Sequence, residues 1–259
     1  MHQGGSAGRL RRIDARRKMV RLRTLCAASF TVVGLAIAGP PLVARDAPAA
    51  AARVSTPTHE EPLTQYRAYR RMHAHSDRFN QEAWMEAWTE LEAGKFRYDV
   101  VSERGSDYIR GKVLKAMLKR EQELVAAGEC AKAGLTADNY VFSNTVIDGP
   151  DEKYVSIRPK RKDVLLLDGR MVLSRDGGEL LRVEGRLSKN PSFWTSLVNV
   201  IRHYARLDGV RVPIATESTA KVKFAGVSQL DVQYEYESIN GRPVSLAARR
   251  ISSAGRGQH

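Results

Sequence analysis

The chain has 259 residues, 42% of them hydrophobic and 27% charged, enough to build one or two sizeable cores and too apolar for a globally disordered chain. A net charge of +13 and an isoelectric point near 10 would suit a nucleic-acid partner. The charge is badly placed for one: residues 1–44 hold eight Arg and Lys against Asp14 alone, and Arg249, Arg250 and Arg256 crowd the last residues, so the part expected to fold is only mildly basic.

Residues 1–44 read as a signal peptide or targeting segment. Arg-rich "RLRRIDARRKMVRLR" leads into the apolar "TLCAASFTVVGLAIAG" and then into small residues, so the expectation is an exported protein, periplasmic or secreted. Met1 and Met19 both fit as the start, and an uncleaved anchor is the competing reading. Cys26 lies inside the apolar run, which leaves Cys130 alone in the exported chain, with no intramolecular disulfide and no cysteine-based metal cluster. Residues 45–62 form a Pro/Ala-rich linker, 63–245 a single folding unit, and 246–259 a basic tail.

The folding unit is mostly strand text. "YRAYRRMHAHS" alternates, with Tyr66, Ala68, Arg70, Met72 and Ala74 on one side, a helix being the competing reading, and "QEAWMEAWTELEAGKFRYDVVSE" reads as a hairpin turning at "EAGK". One helix is expected over 106–127, with Ile109, Val113, Ala116, Met117 and Leu124 at helical spacing, Ser106 or Asp107 at its start and Gly128 at its end. Strands are then expected over 140–147, 153–158, 163–167, 170–174, 179–188, 195–207, 210–224 and 229–239. The turns Asp168-Gly169, Asp208-Gly209 and Asn240-Gly241 suit type I′ hairpins. The spacing is too short for parallel crossovers. The expected fold class is α+β, mainly β: a curved antiparallel meander, a half-open β-barrel, packed on one main helix.

The last long strands are amphipathic. Val210, Val212, Ile214, Thr216, Ser218, Ala220, Val222 and Phe224 alternate with Arg211, Glu217, Lys221 and Lys223, and Leu230, Val232, Tyr234 and Tyr236 alternate with Asp231, Gln233, Glu235 and Glu237. One helix about 10 Å wide covers only part of a sheet of eight or more strands spaced about 4.8 Å apart. The leftover apolar face is the candidate ligand site: Val212, Ile214, Val222, Phe224, Val232 and Tyr234, with Phe193 and Trp194 at its rim. The competing reading makes these same residues the core beneath the helix.

The stretch "DGGELLRVEGRLSKNPSFWTSLVNVIRHYARLDGVRVPIATESTAKVKF" resembles periplasmic outer-membrane lipoprotein-sorting proteins and their Lol/RseB-type relatives, in which a "G-E-L-x-R-V-E-G" strand precedes "Y-x-x-x-D-G-V-x-x-P". The motif spans about 178–220 and the layout about 64–240. The resemblance implies a half-open barrel closed by helix, whose cavity in some relatives holds lipoprotein acyl chains.

Several constellations invite enzymatic readings. His73 and His75 share a strand face at metal-ligand spacing, but a site needs a third ligand. Trp84, Glu86, Trp88 and Glu90 share a face as in a sugar-cleaving cleft, yet two glutamates four residues apart on a strand stand about 13 Å apart. Ser192 or Ser196 with His203 and Asp208 would make a triad, without a G-x-S-x-G elbow. No nucleotide-binding glycine loop is present in the sequence, and no cofactor is expected. The basic "RPKRKD" reads as a solvated turn, or as a contact for anionic headgroups or an acidic partner. The expectation is a non-enzymatic envelope protein binding a lipid or a lipoprotein acyl chain. The alternatives are an envelope protein-interaction or sensor module and, more weakly, a hydrolase of envelope polymers. Peripheral membrane contact is a further candidate role, and a nucleic-acid partner is not expected.

Overall fold

The computed structural model describes residues 61–193, 195–223 and 226–245. Its strands, in chain order, are β1 (Tyr66–Ser76), β2 (Gln81–Glu92), β3 (Lys95–Gly105), β4 (Tyr140–Asp148), β5 (Glu152–Pro159), β6 (Leu167–Ser174), β7 (Leu180–Leu187), β8 (Thr195–Leu207), β9 (Val210–Val222), β10 (Gly226–Ile239) and the short β11 (Arg242–Pro243). All belong to one antiparallel sheet in the order β3-β2-β1-β10-β9-β8-β7-β6-β5-β4, with β11 paired to β10. From β4 to β10 each strand pairs with its successor, and β1 docks on β10 to attach the first hairpins. The sheet does not close, because β3 and β4 are its two edges.

The chain passes from one edge to the other through a 20-residue helix, α1 (107–126). It begins α-helical, makes a π-turn over Arg110–Leu114 and resumes as α-helix over Lys115–Ala126. Val113, Leu114, Met117, Leu118, Leu124 and Val125 are buried on its sheet side, whereas Ala116, expected on the apolar stripe, is exposed. Gly128 ends the helix at φ +66, its N–H donating to Val125 O while Glu129 N–H donates to Leu124 O. That double bond satisfies carbonyls left over at the helix end.

The hairpin chemistry is as expected at three turns. Ala93-Gly94, Asp208-Gly209 and Asn240-Gly241 all have positive φ at both central residues. Asp168-Gly169 is different. It lies inside β6, and the turn precedes it at 160–166, where the sequence suggested a strand over 163–167. The glycine serves close packing: Gly169 pairs with Gly185 across β6–β7, and a Cβ on Gly169 would sit 2.1 Å from Glu184 O.

The helix is tied to the sheet by a buried ion pair. Arg70 and Glu121 are 0% and 1% exposed, with Nη1 donating to Oε2 at 2.6 Å and Nη2 to Oε1 at 2.9 Å. Nη2 also donates to the Tyr66 hydroxyl (2.8 Å), which itself donates to Glu121 Oε1 (3.3 Å). The guanidinium lies 4.9 Å from the ring centre of Tyr234 and 5.3 Å from that of Phe96. Removing one member strands the other charge in the core.

Arg70→Met or Glu121→Gln should each lower stability by about 3–5 kcal/mol in urea denaturation, while Arg70→Met combined with Glu121→Met costs less than either. Near-equal additivity of the two single changes would show that the pair is not coupled. Gly169→Ala should cost about 1–3 kcal/mol, since the backbone of β7 must shift to admit the methyl; an unchanged midpoint would remove the close-approach explanation.

Candidate functional site

The inner face of the sheet is the one α1 packs against, and strand alternation decides who stands there. Ala68, Arg70, Met72 and Ala74 of β1 meet Ala83, Met85 and Ala87 of β2 on one side and Leu230, Val232 and Tyr234 of β10 on the other. The wall continues through Thr216, Ser218 and Ala220 of β9, Val198 and Val200 of β8, and Val183 of β7.

Among the candidate ligand residues, Val212, Val232 and Tyr234 are buried core members, and Ile214 and Val222 are half-buried against that core. Phe193 is 78% exposed, with Lys223 Nζ 4.6 Å from its ring centre. Trp194 and Phe224 lie outside the described residues. The strict alternation expected over 210–224 breaks once: His203 pairs with Ala215 and Tyr204 with Pro213, so Ile214 bulges between them. At the same level β9 parts from β10, whose pairing stops at Gln233–Ala215, and the Tyr236 hydroxyl bridges the seam to Pro213 O at 2.9 Å.

A polar strip crosses this apolar wall. Arg202 of β8 stands directly opposite Thr216 of β9, and Ser218 is the next inner-face residue on β9. The Ser218 hydroxyl is buried without a hydrogen-bond partner. Burial would lower the Arg202 pKa, but the electrostatic interaction with the Tyr204, Tyr234 and Tyr140 phenols and the hydrogen bond that the guanidinium donates to Tyr204 hold it above its usual value. Donors of this kind suit an incoming carbonyl, ester or carboxylate oxygen. Thr216 and Ser218 were legible as inner-face residues; Arg202 was not, because a long cation in an alternating strand reads equally well as solvent-facing.

The enzymatic constellations come apart. Tyr69 and Ser102 hydroxyls donate to Glu86 Oε2 at 3.0 and 2.8 Å, and Glu90 is engaged by Arg97 at 3.2 Å. Both carboxylates are thus held by neighbouring side chains. The outer groove near Glu86, about 620 Å³, is walled by Arg71, Trp84 and Arg104, with both faces of Trp84 occupied: His73 stacks at 4.7 Å and the Arg104 guanidinium lies at 4.3 Å. His73 pairs with Glu82 and His75 with Asp77, and no group of three His, Cys, Asp or Glu side chains converges among the described residues. For the triad, Ser196 and His203 are seven residues apart on β8, roughly 23 Å at about 3.3 Å per residue. His203 faces Glu217 at 3.2 Å, and Asp208 accepts from Ser245. Cys130 is half-buried and its thiol pKa is raised by burial, the opposite of nucleophile activation.

No protein-family model matches this chain, and no curated protein matches it.

The Ser102 and Tyr69 hydrogen bonds hold the Glu86 carboxyl below the usual glutamate range. Its contribution to stability is then fully present above the unfolded-state pKa and fades as pH falls through the lowered folded value. Glu86→Gln should accordingly narrow the difference in melting temperature between about pH 7 and about pH 3. An acid limb as steep as that of the wild type would assign the pH dependence elsewhere.

Proposed function

We propose that the protein is an exported, non-enzymatic binding protein that takes an apolar chain, of a lipid or a lipoprotein acyl group, against the inner face of its open sheet. The observation that carries this reading is the asymmetry of the helix. It packs on β1, β2 and β3 at one edge, while the apolar wall runs on through β8, β7 and β5 toward the other. Val198, Val200, Val183 and Ile157 are shielded from water in the arrangement described, so a ligand displaces packing rather than entering an empty cavity. The seam beside the Ile214 bulge is the natural entrance, because the β9–β10 ladder ends there, at Gln233–Ala215. Behind it, Arg202, Thr216 and Ser218 would receive the oxygens at the head of the chain. The similarity of residues 178–220 to Lol/RseB-type half-barrels supports the same reading.

A second reading, an envelope protein-interaction module, draws on the near-complete burial of Val212, Val232 and Tyr234, since a filled inner face leaves the outer surface to do the work. Native mass spectrometry of protein purified from the envelope separates the two: a lipid-sized adduct supports the first, a stoichiometric protein the second. With an uncharged fluorescent apolar probe, Ile214→Glu should reduce uptake by at least about tenfold while Lys221→Glu leaves it unchanged, each compared with its own melting curve. A folded wild-type protein that takes up no probe removes the carrier reading.

A further inference from the structure

The two ends of the sheet carry different loops. At one end lie the β1–β2 turn (77–80), the segments 160–166 and 188–193 that follow β5 and β7, and the end of β9. Phe79 and Phe193 stand out from this end, 56% and 78% exposed. A groove of about 520 Å³ opens beside the second and third of these segments, lined in part by Arg158, Lys160 and Lys162. These three and the neighbouring Lys189 are exposed, and among the described residues none of the four is ion-paired. The local acids are already engaged, Asp163 by Arg161 at 3.3 Å and Asp168 by Arg186 at 3.5 Å. Lys223 adds a cation directly over the Phe193 ring. The Asp77 N–H donates to Val227 O at 3.0 Å, which sets the Phe79 turn against the start of β10, beside the strand end that bears Lys223.

Elsewhere on the sheet many of the cations are ion-paired. Arg182, for example, binds Glu152 at 2.6 and 2.8 Å and Glu184 at 3.1 Å. The opposite loop end is acidic on balance, exposing Glu92, Asp148, Asp151, Asp176 and Asp208 against Lys95, Arg175 and Arg242, the last of these paired with Glu61. The molecule thus has one cationic, aromatic end and one anionic end, which gives it a preferred orientation in the field of a charged surface.

We propose that the end bearing Phe79 and Phe193 docks the protein on an anionic lipid surface, its unpaired cations over the headgroup phosphates and its two rings in the interfacial layer. Apolar side chains beside basic residues bind such surfaces by combining apolar insertion with electrostatic attraction. A shaped protein partner fits less well, because the rings stand at the tips of separate loops and do not line a common recess. Docking needs only these loop side chains, so it holds or fails independently of whether the inner face takes an acyl chain.

The test must be local, since residues 1–44 are themselves basic and apolar. Hydrogen exchange of the full chain is followed with vesicles of phosphatidylcholine alone and with phosphatidylglycerol added. Anionic vesicles should slow exchange at 77–80, 160–166 and 188–193 and leave 149–151 and 175–179 unchanged, and the slowing should vanish at about 1 M salt. Lys160→Glu with Lys162→Glu should weaken vesicle flotation by about fivefold for each lysine removed, and Phe193→Ser should weaken it without altering its salt dependence. Slowing confined to residues 1–44, slowing of equal size with neutral vesicles, or slowing at both loop ends overturns the proposal. So does slowing of the same loops by inorganic phosphate but not by vesicles, which would make the groove a site for a soluble anion.

Discussion

The buried contact between Arg70 and Glu121 is the constraint on which the rest of the architecture depends. Desolvating a guanidinium and a carboxylate costs several kcal/mol per ion, and only tight geometry with further hydrogen bonds offsets it. Here the bonds are bidentate, Tyr66 supplies the extra partner, and Tyr234 and Phe96 lay their ring faces against the cation. An arrangement so dependent on position admits one placement of α1 across β1. A purely apolar interface between the same elements would tolerate sliding by a turn.

That placement has consequences for topology. The chain leaves the sheet at one edge strand, β3, and re-enters at the other, β4, so the helix is the connection that holds the two ends of a long meander in one body. The helix contacts β1, β2 and β3, and the inner wall continues beyond them through buried side chains of β8, β7 and β5. The Ile214 bulge, the seam between β9 and β10 and the polar strip of Arg202, Thr216 and Ser218 all lie beyond those three strands.

The outer surface divides in a similar way. Opposite charges stand within reach of one another across it: Arg71 meets Glu235 diagonally on the neighbouring strand β10, and Arg182 meets Glu152 two strands away on β5 and Glu184 on its own strand. Each exposed pair adds little stability, but together they leave the sheet surface nearly neutral and blunt its attraction for charged partners. The loop end with Lys160, Lys162 and Lys189 lacks that compensation, so the field of the protein is concentrated there.

Alternation, turn residues and helical spacing were enough to read the antiparallel meander and its single helix from the sequence, because each depends on contacts within a few residues. Ala93-Gly94, Asp208-Gly209 and Asn240-Gly241 turn as local chemistry dictates. Asp168-Gly169 has the same chemistry and does not turn, since the space Gly169 needs is set by Gly185 on the next strand. The sequence likewise put Arg70 on an apolar face without a reason, and the reason, Glu121, lies 51 residues away on the helix. Of the candidate site, the inward phase of Thr216 and Ser218 follows from period-two alternation, whereas the inward turn of Arg202, the bulge at Ile214 and the burial of Val212, Val232 and Tyr234 do not. Side-chain phase is a property of one strand; which face is covered, and by what, depends on partners brought together only by the tertiary structure.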